Sequence, residues 1–215
     1  MRGKFVTLEG CEGVGKSTQL KLLIEYLNSQ NIEFIYTREP GGTPISEKIR
    51  GVILDKENDE MTAECEALLY ASSRVQLLSE VILPALNQGK LVICDRYYDS
   101  SFAYQAYARD LGEDFVKSIN VFALTYGVPD LTLFLDLPPS EAFKRKGGAD
   151  LTDRIEASGM EFHNKVYQGY KAQQLKEPNR IISVDCSKEK AQTHQNIINI
   201  LKEKGIIWLT IKAMR

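Results

Sequence analysis

Apolar residues in this chain fall into short strand-length runs separated by longer stretches where they recur every three or four positions. Phe5 to Leu8 and Glu33-Phe-Ile-Tyr-Thr37 have the length and composition of strands. Lys90-Leu-Val-Ile-Cys-Asp95, Leu131-Thr-Leu-Phe-Leu-Asp136 and Arg180-Ile-Ile-Ser-Val-Asp185 are apolar runs that each close on an aspartate. That form is expected of strands buried on both faces of a parallel sheet. Helical spacing covers 17–27, 45–54, 101–111, 114–126, 140–146, 160–176 and 188–204. Thr62 caps a further long helix running to about Asn87, apolar on more than one face and therefore buried on several sides or set at a subunit contact. The alternation predicts an α/β fold in three layers, largely parallel, with its site at the carboxyl ends of the strands.

Composition narrows the partners more than the fold. The length of 215 residues suits one α/β domain spanning 1–215, and no Ser/Pro-rich linker divides it. A formal charge of −2 gives no electrostatic footprint for a nucleic acid polymer or an anionic membrane, which favours nucleotide-sized partners. Cys11, Cys65, Cys94 and Cys186 are widely separated and form no C-x-x-C pair, so they read as reduced, partly buried thiols. The amino terminus enters a strand directly, with no leader, and no apolar run reaches membrane-spanning length; a soluble, cytoplasmic protein is expected.

The most specific chemistry follows the first strand. Residues 10 to 17 read Gly-Cys-Glu-Gly-Val-Gly-Lys-Ser, the G-x-x-x-x-G-K-[ST] pattern whose backbone amides cradle nucleotide phosphates. Chance would produce it in roughly one chain per hundred of this size, and the flanking strand and helix lower that further. ATP contacts are expected from Gly10, Glu12, Gly13, Val14, Gly15, Lys16, Ser17 and Thr18, and the pattern puts Lys16 on the β and γ phosphates and the Ser17 hydroxyl on Mg²⁺. Glu12 is the anomaly, a carboxylate among amides meant for anions. It either points outward to a donor such as a sugar hydroxyl or is simply exposed.

Other groups are placed to complete a site. Asp95-Arg96-Tyr97 follows the third strand, where an acid can hold Mg²⁺ and the arginine can neutralise phosphate; a structural ion pair closing the strand is the alternative. Arg38, Glu39 and Arg50 lie between the second strand and the long helix. On that helix Tyr70 and Arg74, four apart, can stack on a base and donate to its edge, although such pairs more often make ordinary contacts. The basic, Gly-containing segment at about 144–155 is either a solvated loop or a lid that brings guanidinium charge onto a transferring phosphoryl group.

Together these residues resemble the thymidylate kinases in their bacterial form, over nearly the whole chain. The resemblance is carried by Leu8 to Thr18, Thr37-Arg-Glu-Pro-Gly-Gly-Thr43, Leu69-Tyr-Ala-Ser-Ser-Arg74, Asp95-Arg-Tyr-Tyr-Asp-Ser-Ser-Phe-Ala-Tyr-Gln105 and Asp153-Arg-Ile-Glu156. It implies the P-loop nucleoside monophosphate kinase fold around a central parallel five-stranded sheet, and phosphorylation of dTMP to dTDP with ATP and Mg²⁺. It implies that Tyr70 stacks on thymine and that Arg74, Ser101 and Gln105 contact the base. Tyr104 would lie under the sugar, Glu12 would accept from the 3′-hydroxyl, and Arg50 and Arg96 would bind the acceptor phosphate with Glu39 orienting the cluster. Ser17 and Asp95 would serve the metal. A homodimer is implied as well, with the long helix from Thr62 at its contact.

Some members of the family carry the catalytic arginine in the phosphate loop, where this chain has Gly13. The resemblance therefore implies a lid arginine, Arg154 ahead of Arg145, acting with Lys16 and Arg96; the lid is leaner in arginine than many bacterial ones, with Lys144 and Lys146 alongside. Lysine lacks the bidentate fork. Two other readings share the phosphate loop. A deoxynucleoside kinase would phosphorylate a sugar hydroxyl and need a carboxylate base, whereas Arg-Glu-Pro-Gly-Gly-Thr and Arg50 suit a phosphorylated acceptor. A nucleotide switch would leave the aromatic and arginine pocket without purpose, and no Asn-Lys-x-Asp tetrad is present.

Overall fold

The computed structural model describes residues 2–146, 155 and 158–207. Its centre is a sheet of five parallel strands, β1 (Phe5–Glu9), β2 (Phe34–Arg38), β3 (Leu91–Asp95), β4 (Leu131–Asp136) and β5 (Ile181–Asp185), in the order β2-β3-β1-β4-β5. The central strands have almost no exposed residue because both faces are covered. Side chains alternate across the sheet. Val6, Leu8, Ile93, Leu133 and Leu135 enter one apolar core, while Phe5, Val92 and Cys94 enter another with Leu77, Leu78, Ile82 and Tyr97. Layers on both faces meet the three-layer expectation.

Register sets the site. Leu8 pairs with Asp95 across β1 and β3, and Arg38 pairs with Asp95 across β2 and β3, so the carboxyl ends of these strands and the loops leaving them share one edge. From that edge the chain enters α1 (Lys16–Ser29) after β1 and α2 (Pro44–Leu54) after β2. The expected long helix is a continuous helical run: α3 (Ala63–Leu77), one π-helical turn at Leu78–Ile82, and α4 (Leu83–Asn87). Thr62 caps it by accepting from the Cys65 amide.

Two helices differ from the periodicity. The run expected at 101–111 begins earlier as α5 (Tyr98–Ser101) and continues as a π-helical stretch, Phe102–Ala108. Helix α9 (Gly159–Lys176) packs against that stretch, where Gly169 lets the backbones meet. The run expected at 114–126 is divided into α6 (Glu113–Ile119) and α7 (Val121–Tyr126) at Asn120, whose side chain bonds the Val116 carbonyl and Arg74. The remaining helices are α8 (Pro139–Lys146) and α10 (Lys190–Glu203). Among the described residues no helix is long and apolar enough to cross a membrane.

Candidate active site

A cavity of about 440 Å³ opens at the strand edge. Its wall includes Glu12, Gly13, Gly15, Lys16 and Ser17 from the loop after β1, Glu39 and Arg50 from beyond β2, Tyr70 from α3, Asp95 and Arg96 from β3, and Tyr104 and Gln105 from the π-helical stretch. Residues drawn from segments far apart in the chain thus share one space. Gly10 and Val14 belong to the loop but are absent from this wall; Val14 packs into the core. Thr18 lies exposed on the first turn of α1.

The loop has the local geometry that its glycines allow. Gly13 and Gly15 take φ of 76° and 96°, a region that side-chain-bearing residues rarely enter. A Cβ on Gly13 would stand 3.1 Å from the Ala142 carbonyl oxygen of α8, whereas one on Gly15 would meet nothing within 4 Å. Gly15 starts α1 with no side-chain cap, leaving the first helical amides to an anion at the positive end of the helix. Lys16 folds over the loop and donates to the carbonyls of Gly10 at 3.1 Å and Cys11 at 3.0 Å. Burial, reinforced by nearby Arg96, brings its ammonium down to about 8 against the pull of Asp95 and Glu12.

Arg96 has the left-handed φ of 65°, an uncommon conformation for a non-glycine residue. Its Nη1 donates to the Gly10 carbonyl at 3.0 Å, Tyr170 Oη at 3.1 Å and Ser100 Oγ at 3.4 Å, and its guanidinium lies over Tyr104. Behind these groups sits Glu9, which accepts from the Tyr97 amide, Ser100 Oγ and Tyr170 Oη at 2.6–2.8 Å. Sequence reading missed Glu9, Ser100 and Tyr170. Glu9 and Tyr170 are 161 positions apart, so no local pattern joins them.

Arg38 and Arg50, which also line the cavity, both donate to the Pro40 carbonyl at 2.9 Å. Arg38 is also paired with Glu47. Arg74 and Ser101 do not line the cavity. Arg74 is buried and committed to Glu39 through Nε and Nη2, and to Ser101 and Asn120 through Nη1. It reaches the cavity wall through Glu39. Gln105 is held by Glu66 of α3, another residue that the sequence left unnoticed.

Asp95 Oδ1 is buried without a hydrogen-bond partner, an arrangement that ordinarily costs free energy. It shares the cavity with Ser17, giving oxygen donors beside the phosphate loop, a set that fits Mg²⁺, which keeps several waters and substrate oxygens. Arg145 donates to the carbonyls of Cys186 at 2.5 Å and Ser187 at 2.7 Å, beyond β5, and does not line the cavity. Arg154 and most of the expected lid lie outside the described residues. Ile155 and His163 bound the cavity on that side.

Known proteins resemble this chain along most of its length. Residues 8–197 match the family model described as Thymidylate kinase. The chain is 47% identical over 203 residues to a thymidylate kinase of Clostridium novyi (strain NT), covering 94% of this chain and 99% of the relative. It is 45% identical over 203 residues to that of Thermoanaerobacter sp. (strain X514), with the same coverage. A thymidylate kinase of Bacillus velezensis is 44% identical over 205 residues, covering 94% and 97% of the two chains.

Proposed function

Because the chain belongs to the thymidylate kinase family, we propose that its strand-edge cavity is where ATP and dTMP meet for direct in-line phosphoryl transfer. The chain is a phosphotransferase that phosphorylates dTMP to dTDP at the expense of ATP. The observation that carries the site reading is the shared wall: a phosphate loop, Arg38, Arg50 and Arg96, and the rings of Tyr70 and Tyr104 face one space of about 440 Å³.

In this reading the amides of residues 13–18 and the Lys16 ammonium hold the ATP phosphates. Ser17 and Asp95 would hold Mg²⁺, which when bound neutralises charge on the phosphate oxygens. Arg50 and Arg96 bind the dTMP phosphate. Tyr70 stacks on the base, Gln105 reads its edge, Tyr104 underlies the sugar, and Glu12 accepts from the 3′-hydroxyl. Arg74 and Ser101 stiffen the base pocket through Glu39 and Asn120. No strong general base is required, since the nucleophile is already a phosphate oxygen; alignment and positive charge supply the catalysis.

We assign the remaining positive charge to a lid at about 144–155, with Arg154 ahead of Arg145. The carbonyl of Ala142 close to Gly13 supports a source outside the loop, since a side chain at 13 would be crowded as well as strained. We also propose a single domain, acting in the cytoplasm as a homodimer. Leu68 and Val75, exposed on α3, support a contact along the long helical run.

The test is identification of the product. Incubation with ATP, Mg²⁺ and dTMP, followed by anion-exchange separation, should yield equal amounts of ADP and dTDP, and chelation of Mg²⁺ should lower the rate at least a hundredfold. ADP appearing without dTDP would refute the reading.

A further inference from the structure

We infer that Glu66 sets the base specificity of the site by locking the carboxamide of Gln105 in one of its two orientations. Both residues are buried, at 1% and 2% exposure, and Glu66 comes from the first turn of α3 while Gln105 comes from the π-helical stretch. Gln105 Nε2 donates to Glu66 Oε1 at 2.9 Å. Arg109 clamps the same carboxylate, Nε to Oε1 at 3.3 Å and Nη2 to Oε2 at 3.1 Å, and its guanidinium stacks over Phe162 at 4.5 Å.

A carboxylate paired with a guanidinium only accepts hydrogen bonds. The amide edge that faces it must therefore be nitrogen. Rotating the amide by half a turn would set Oε1 against Glu66, losing a charge-assisted bond and gaining repulsion. The cavity side of Gln105 thus presents its acceptor Oε1 and its second N–H in a fixed order.

That order distinguishes two classes of pyrimidine. A keto-imide base offers a ring N–H beside a carbonyl, the complement of an acceptor beside a donor. An amino-pyrimidine offers a ring acceptor beside an amino donor, so in the same pose both of its atoms are opposed. Rejection then comes from unpaired and opposed polar groups, which discriminate far more strongly than a change in pocket size. The inference rests on the reading of the cavity as the dTMP site and extends it to the residue that enforces imide recognition; Glu66 is a positioning residue, acting through Gln105.

The test compares kcat/KM for ADP release with dTMP and with dCMP, in the wild type and in Glu66→Gln, whose side-chain amide can meet either edge of Gln105. The wild type should prefer dTMP, and the ratio should fall at least tenfold in the variant, with KM for dTMP moving more than kcat. A purely structural role would depress both substrates together and leave the ratio unchanged, which would overturn the inference. If Glu66→Gln fails to fold with Arg109 unpaired, the double variant Glu66→Gln/Arg109→Gln carries the same expectation with no charge left alone. A wild-type ratio near one overturns the inference without any variant. Absence of dTMP phosphorylation in the wild type would instead refute the functional reading.

Discussion

Glu9 is the buried carboxylate on which the placement of Arg96 depends. It accepts from Ser100 and Tyr170, and both hydroxyls in turn accept from Arg96, so the carboxylate orients two hydroxyls toward itself and their lone pairs toward the guanidinium. Burial, with Asp99 nearby, pushes its carboxyl up to about 7 from 4.5. A raised carboxylate binds protons more tightly in the folded state, so its penalty is absent below pH 4.5, grows between 4.5 and 7, and is complete above 7. Glu9→Gln removes this titration. The melting temperature of the wild type relative to the variant is therefore expected to fall across that interval, by the equivalent of a few kcal/mol. Parallel melting curves against pH would contradict the account. The loop residues around Glu9 were legible in sequence because their spacing is itself the chemistry, from Gly10 to Ser17. Glu9 and Glu66 were not, because their partners Tyr170 and Gln105 come from distant segments and only the packed fold joins them.

Among the elements, α9 packs against the π-helical stretch Phe102–Ala108, which carries Tyr104 and Gln105 to the cavity wall. A Cβ on Gly169 would lie 2.9 Å from the Ala103 Cα and 3.0 Å from the Tyr107 Cβ, and backbone cannot yield as a flexible side chain does. Gly169→Ala should therefore push α9 off the stretch, cost about 1–3 kcal/mol of stability, and raise KM for dTMP several-fold with a smaller effect on KM for ATP. Thermal denaturation and steady-state kinetics check both parts, and equal shifts in the two KM values would contradict the assignment. The strands were readable from their apolar runs, since burial on two faces demands that composition. The π-helical register and the break at Asn120 were not, because both answer to tertiary partners: α9 in the first case and the buried Arg74 in the second. Apolar spacing reports which face is buried, and it does not distinguish a π turn from an α turn.

For the whole molecule, the order β2-β3-β1-β4-β5 brings the loops after β1, β2 and β3 to one edge. This is why a phosphate loop near one end of the chain shares a wall with Tyr70, Tyr104 and Gln105. The α/β alternation made that arrangement foreseeable, because ligands in such sheets bind beyond the carboxyl ends of the strands. The charge balance within the cavity follows from the same placement: Lys16, Arg38, Arg50 and Arg96 face the space that Glu12, Glu39 and Asp95 also line. Such a site suits two phosphorylated substrates better than one phosphorylated donor and a neutral nucleoside. The most direct measurement is an acceptor panel, following ADP release from Mg²⁺-ATP with dTMP, dUMP, dCMP, dGMP and thymidine. The highest kcat/KM is expected for dTMP, with no stimulation by thymidine; equal ADP release with and without an acceptor would contradict the assignment of this cavity.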